Sequence, residues 1–164
     1  MNAKDPIKHN LDLAEMIMNS YVGDLTDADI LAIPVPGMNH IAWQLGHLIS
    51  SERSFIEGIK PGSCPELPAG FDGVHSTKAE TKGTEPGQFY SKDDYLKFYA
   101  AQRAVTKAVI DALADADLDK PGPENMAQIA PTVGAVLNLI GQHYLMHAGQ
   151  FVPVRRAAGK PVTI

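Results

Sequence analysis

Apolar residues recur at intervals of three and four positions along four stretches of the chain. This is the period of helices that bury one face and expose the other. The stretches cover residues 5–23, 39–60, 91–115 and 132–158. We therefore predict four long amphipathic helices, an arrangement typical of an all-α four-helix bundle.

Residues that favour helix ends flank these stretches. Asp5, which a proline follows, and Asn39 and Thr132 are suitable N-caps. Ser91 and Asp94 form a pattern like a capping box. A proline and a glycine follow directly after the second stretch and predict its end.

The connections between the helices differ in length. Residues 61–90 contain many prolines and glycines and lack helical periodicity. A connection this long can cross the whole bundle, so we predict a crossover that lets the second and third long helices run parallel. In residues 26–37, two prolines exclude a long helix. We expect the apolar Leu31, Ile33 and Val35 to pack under the bundle there.

Length and composition exclude several classes of protein. The 164 residues predict a single domain, residues 1–164, with enough chain for a hydrophobic core. A net charge of −5 without a basic stripe argues against nucleic-acid binding. The one cysteine, Cys64, excludes an internal disulfide and a cysteine-rich zinc site. We find no signal peptide and no apolar run long enough to span a membrane, which predicts a cytoplasmic protein without membrane contact.

Two histidines in the fourth stretch are candidate metal ligands. His143 and His147 lie four positions apart, so one face of a helix would carry both. They continue the apolar seam of that helix, where a buried imidazole needs a partner for each polar nitrogen. A divalent metal ion satisfies this need, and so do ordinary hydrogen bonds in a core, so both interpretations remain open.

A third histidine lies on the second predicted helix. His47 is at the edge of the apolar stripe, and Gly46 beside it lets a neighbouring backbone approach closely. A site with His47, His143 and His147 would have three nitrogen ligands and open positions for water or substrate. That pattern is typical of a catalytic rather than a structural metal site.

Other polar residues near these histidines allow more than one role. His40 precedes His47 by two helical turns, about 10.5 Å, which is too far to share one ion, and we expect it to be exposed. Glu52 lies in the middle of an apolar stripe, where a buried ion pair, a polar contact at the bundle end and a proton-handling role remain open. Gln142 and Gln150 are candidate hydrogen-bond partners of the site.

Two segments of the chain together resemble the DinB/YfiT-like family. They read Asn39-x-Ile41-Ala42-Trp43-x-Leu45-Gly46-His47-Leu48 and Gly141-Gln142-His143-x-x-x-His147-x-Gly149-Gln150. The resemblance extends over most of the chain, including the proline-rich residues 34–37. His40 departs from the family pattern, in which a small residue or proline is common at this position.

The resemblance implies a four-helix bundle with a crossed connection and a metal ion held by three histidines. Carried over to this chain, the ligands are His47, His143 and His147. Nickel and zinc are the metals expected from the family, and iron is possible. Many members are dimers, so we expect a homodimer.

The same resemblance suggests what the protein does. Some relatives are transferases or isomerases that use mycothiol, bacillithiol or glutathione, and others are linked to hydrolysis. We therefore expect a metal-dependent enzyme, a thiol-dependent transferase or a hydrolase, that acts on a small molecule and can use a low-molecular-weight thiol. The alternative is a bundle that binds a metal ion or a ligand without catalysis.

Overall fold

The computed structural model describes residues 2–78 and 87–162 and is all-α in these ranges. Four long helices carry the architecture, as predicted, and two single-turn helices lie between them. Their bounds are α1 Asp5–Val22, α2 Asp27–Ile30, α3 Ile41–Ile59, α4 Phe71–Val74, α5 Lys92–Ala112 and α6 Val133–Ala157. Within the described ranges, no helix combines the length and the apolar character that crossing a membrane requires.

Side-chain caps fix where three of the four long helices start, α3, α5 and α6. The hydroxyl of Ser91 accepts a hydrogen bond from the backbone N–H of Asp94, and Thr132 does the same for Ala135. Both N-caps are as predicted, and each satisfies a donor that the first helical turn leaves unpaired. At the start of α3, however, the N-cap is His40 and not Asn39.

Hydrogen bonds between the helices show their relative directions. Asn10 of α1 contacts Asn138 of α6, and Tyr21 near the end of α1 contacts Arg155 near the end of α6. The two helices therefore run parallel. His47 and His143 face each other while Gln44 lies opposite His147, so α3 and α6 are antiparallel.

The second and third long helices are also parallel, as the long connection predicts. His75, in the connection, contacts both Gly46 near the start of α3 and Tyr95 near the start of α5. Farther along both helices, Glu52 of α3 contacts Arg103 of α5. Part of the predicted crossover, residues 79–86, lies outside the described residues.

A buried ion pair joins three helices in the core. The guanidinium of Arg103 donates to both carboxylate oxygens of Glu52 at 3.0 Å, and it also donates to the backbone carbonyl of Leu11 at 3.1 Å. The hydroxyl of Thr106 donates to the same carboxylate at 2.6 Å. Of the roles left open for Glu52, the buried ion pair is therefore the one observed.

One prediction about the connection before α3 is wrong. Leu31, Ile33 and Val35 do not pack under the bundle, because their exposed fractions are 43%, 39% and 45%. The buried residue of this segment is Ile30, which the single turn of α2 directs into the core. A capping box between Thr26 and Asp29 holds that turn, so it satisfies its backbone locally and leaves the following residues at the surface.

Candidate metal centre

The three histidines singled out in the sequence lie together between α3 and α6. His47 comes from the second turn of α3, and His143 and His147 come from successive turns of α6. One ring nitrogen from each lies within 4.8 Å of the others. Because α3 and α6 are antiparallel neighbours, residues about a hundred positions apart in sequence meet at one point.

The imidazole rings face one another closely. The ring centroid of His47 lies 5.3 Å from that of His143 and 5.4 Å from that of His147. The ring centroids of His143 and His147 are 4.8 Å apart. Nitrogens that bind one tetrahedral zinc ion at 2.0–2.1 Å are about 3.3 Å apart. Small side-chain rotations would close the remaining distance, so the three residues fit a divalent ion.

All three imidazoles favour the neutral form that metal coordination requires. Burial, together with repulsion from the neighbouring histidines, lowers the pKa of His143 and of His147 to about 4. Burial also lowers the pKa of His47, although a hydrogen bond to the backbone of His75 opposes this shift. At neutral pH each ring therefore keeps a lone pair for a metal ion.

Neighbouring residues hold two of the three rings. Nδ1 of His147 lies 2.8 Å from Oε1 of Gln44, a fully buried amide that the sequence motifs did not single out. His47 stacks on Trp43, with ring centroids 5.0 Å apart and planes 6° from parallel. The sequence does contain a signal for Gln44, because it is a polar residue one turn before His47 in an otherwise apolar motif.

The predicted roles of Gln142 and Gln150 at the site and the predicted exposure of His40 are wrong. Gln142 and Gln150 are exposed at the surface of α6 and hold none of the three rings. His40, expected to be exposed, is 1% exposed. Its Nδ1 accepts a hydrogen bond from the backbone N–H of Trp43 at 3.0 Å, so it is buried as the cap of α3.

His75 is also buried, but both of its ring nitrogens are in use. Nδ1 lies 2.7 Å from the backbone carbonyl of Phe71 and donates to it, and Nε2 lies 2.8 Å from the hydroxyl of Tyr95 and accepts from it. The ring packs directly on the backbone of Gly46, where any side chain would collide with it. His75 therefore fixes the crossover against α3 and does not join the cluster.

A polar groove of about 510 Å³ opens beside His47. Ser50, Ser51 and Ser54 continue the face of α3 that carries His47 and line one side of the groove. Asp72 of α4 lines it from the crossover and accepts a hydrogen bond from the hydroxyl of Ser50 at 2.7 Å. This volume lies within the range of small-molecule sites.

The composition of the cluster restricts its chemistry. Among the described residues, the cluster contains no carboxylate and no thiolate. Three neutral imidazoles suit zinc, nickel, copper and ferrous iron, and they leave the full positive charge of a divalent ion uncompensated. Such an ion has positions open to an anionic or polar ligand.

Comparisons with known proteins agree with this fold. The model of a family described as the DinB superfamily matches residues 10–151. A crystal structure of a conserved protein from Enterococcus faecalis superposes with a TM-score of 0.72, at 20% sequence identity, and the match covers 98% of this chain and 99% of that one. At this identity the likeness shows the fold alone. No curated protein matches the sequence.

Proposed function

Because the chain belongs to the DinB superfamily, we propose that it is a metal-dependent enzyme that acts on a small molecule. His47, His143 and His147 are the proposed ligands of one divalent ion, with nickel, zinc or iron as candidates. The observation that carries the proposal is the convergence of three neutral imidazoles, one of which, His47, also lines a groove large enough for a small substrate. A homodimer, expected from the family resemblance, completes the proposal and is tested by sedimentation.

The groove suggests what kind of substrate the protein accepts. Its wall carries hydroxyl groups from Ser50, Ser51, Ser54 and Thr77, and Arg53 adds a cation. These groups donate and accept hydrogen bonds and favour a polar molecule over an apolar one. A substrate in this groove would place one end at His47.

We propose two reaction classes, transfer to or from a thiol and hydrolysis. A divalent ion supplies Lewis acidity, which favours deprotonation of a thiol or a water and polarises a carbonyl group. The chain itself contributes the neutral imidazoles, the hydrogen bond and the ring stacking that orient two of them, and the wall of the groove. Cys64 does not belong to the cluster, so the proposed thiol is a diffusible one.

Turnover by the metal-loaded protein tests the proposal. One assay follows conjugation of glutathione to 1-chloro-2,4-dinitrobenzene, and a second follows hydrolysis of 4-nitrophenyl acetate. We expect one of the two activities to require metal and to be lost in His147→Ala, while His9→Ala, which changes an exposed histidine, retains it. A protein that binds metal but accelerates neither reaction would favour the alternative of a non-catalytic metal-binding bundle.

A further inference from the structure

We propose that Gln44 is a positioning residue of the metal centre, which sets the tautomer of His147 before any ion binds. This inference rests on the proposed metal site, and it assigns a role to a residue outside the three ligands. Gln44 is fully buried on the first turn of α3, between the backbone of Asn39 and the ring of His147.

The amide of Gln44 has only one orientation that fits its neighbours. Its nitrogen Nε2 donates to the backbone carbonyl of Asn39 at 2.7 Å. A carbonyl oxygen accepts hydrogen bonds and cannot donate them, so the amide nitrogen has to face Asn39. The amide oxygen Oε1 is therefore directed at Nδ1 of His147, 2.8 Å away.

This orientation decides which nitrogen of His147 carries the proton. Oε1 of Gln44 can only accept, so Nδ1 of His147 has to be the N–H that donates to it. In a neutral imidazole the other nitrogen then has a lone pair. Nε2 of His147 is thus left unprotonated and available to an ion.

Hydrogen bonds at the start of α3 also hold Gln44 in position. His40 caps α3 through the backbone N–H of Trp43, and the backbone N–H of Gln44 donates to the carbonyl of His40 at 3.2 Å. The first turn therefore holds both the main chain of Gln44 and the carbonyl of Asn39 that fixes its amide. A site held by rigid neighbours binds with less loss of conformational freedom.

The three proposed ligands differ in how firmly they are oriented. Gln44 holds His147 by a hydrogen bond, and Trp43 holds His47 by ring stacking. Within residues 2–78 and 87–162, the ring of His143 has contacts with the other two histidines but no hydrogen bond that orients it. Two rings are thus preset, and His143 is the ligand that adjusts its ring when an ion enters.

Metal affinity of three variants tests the role of Gln44. Gln44→Met removes the acceptor but keeps the length of the side chain, whereas Gln44→Glu keeps an acceptor oxygen. The matched control is Gln142→Leu, which removes an exposed glutamine next to His143. Dissociation constants for Zn²⁺ are measured by competition with a chromogenic chelator, and visible spectra of the Co²⁺ form report the ligand geometry.

We expect Gln44→Met to weaken Zn²⁺ binding about 10- to 100-fold and to alter the Co²⁺ spectrum. Gln44→Glu should lose less than about 10-fold, because an oxygen still accepts from His147. Gln142→Leu should match the wild type. A purely structural Gln44 would lower thermal stability and leave the affinity and the spectrum unchanged, which would overturn the proposal.

A measurement on the unaltered protein covers the case in which Gln44→Met fails to fold. Long-range ¹H–¹⁵N spectra of the metal-free protein at neutral pH identify the protonated ring nitrogen of His147. A proton on Nδ1 is expected, and a proton on Nε2 would overturn the proposal. If the wild type binds neither Zn²⁺ nor Co²⁺, the metal site itself is wrong; if it binds them and Gln44→Met binds equally well, only the role of Gln44 is wrong.

Discussion

The six histidines of the chain show how the environment of a residue sets its role. His9 is exposed on α1, His40 caps α3, and His75 joins the crossover to α5 through Tyr95. The remaining three converge with their rings in the neutral form. They are His47, His143 and His147.

A substitution at Gly46 tests the close contact between α3 and the crossover. A Cβ atom at this position would lie 2.0 Å from Cδ2 of His75, so Gly46→Ala forces the buried ring away. We expect a loss of about 1–3 kcal/mol in the free energy of unfolding, measured by urea denaturation. Gly149→Ala is the control, because nothing lies within 4 Å of its Cβ and the helix should gain about 1 kcal/mol. Equal stability of the two variants would contradict the contact.

The buried histidines also predict how stability depends on pH. Burial lowers the pKa of His75 to about 4, whereas an unfolded histidine has a pKa of about 6.5. Below pH 6.5 the unfolded chain therefore binds more protons than the folded one, and stability falls as the pH falls. His143 and His147 act in the same direction in the metal-free protein.

Urea unfolding of the metal-free protein between pH 7 and 4.5 measures this effect. For His75 alone we expect a loss of about 2 kcal/mol over this interval. Carboxylates with lowered pKa values, such as those of Asp24 and Asp29, act mainly at lower pH and do not account for it. A flat profile between pH 7 and 4.5 would contradict neutral, buried imidazoles.

At this scale the sequence predicted which histidines meet but not what holds them. His143 and His147 were visible because a helical seam contained two polar residues. Gln44 was not recognised because its partner, His147, is 103 positions away. His40 was misjudged because a cap residue lies off the apolar stripe, and the periodicity does not reveal whether other chain segments cover it.

At the scale of elements, polar contacts between helices specify their register. Arg103 binds Glu52 of α3 and the backbone of α1, so one side chain of α5 aligns three helices. Tyr99 and Tyr144 pack against the same guanidinium. Their ring centroids lie 5.1 Å and 4.8 Å from its central carbon. The planar aromatic faces offset part of the loss of solvation that a buried cation suffers.

Removing Arg103 should therefore be far more costly than removing a surface ion pair. Arg103→Met leaves the carboxylate of Glu52 buried without a counter-charge, and we expect a loss of about 3–5 kcal/mol in the free energy of unfolding. The control is Lys8→Met, which breaks the exposed pair between Lys8 and Asp111 and should change stability little. Similar unfolding midpoints for the two variants in urea would contradict this account of the core.

The long helices were predictable because each repeats one signal over many turns. Their starts at Ser91 and Thr132 were also correct, since N-caps depend on residues only three positions apart. The single turns α2 and α4 were missed because four residues are too few to show a helical period. The exposure of Leu31, Ile33 and Val35 depends on how the neighbouring turn is anchored, which the pattern of apolar residues does not record.

For the whole molecule, the order of the helices explains why one site forms. The crossover makes α3 and α5 parallel and leaves α6 as the antiparallel neighbour of α3. His47 then meets His143 and His147, and the crossover reaches the same place through His75 and the wall of the groove. The sequence predicted this assembly because both motifs place histidines on the faces that the helices bury against each other.

The metal content of the purified protein tests the central claim most directly. The chain is purified without a histidine tag and measured by elemental analysis, both as isolated and after incubation with nickel, zinc or ferrous ions. The His143→Ala/His147→Ala variant and the His9→Ala control are measured beside it. We predict about one ion per chain in the wild type and in His9→Ala, and almost none in the double variant. An unaltered protein that holds no ion even after incubation, or a double variant that holds as much as the wild type, would contradict the three-histidine metal site.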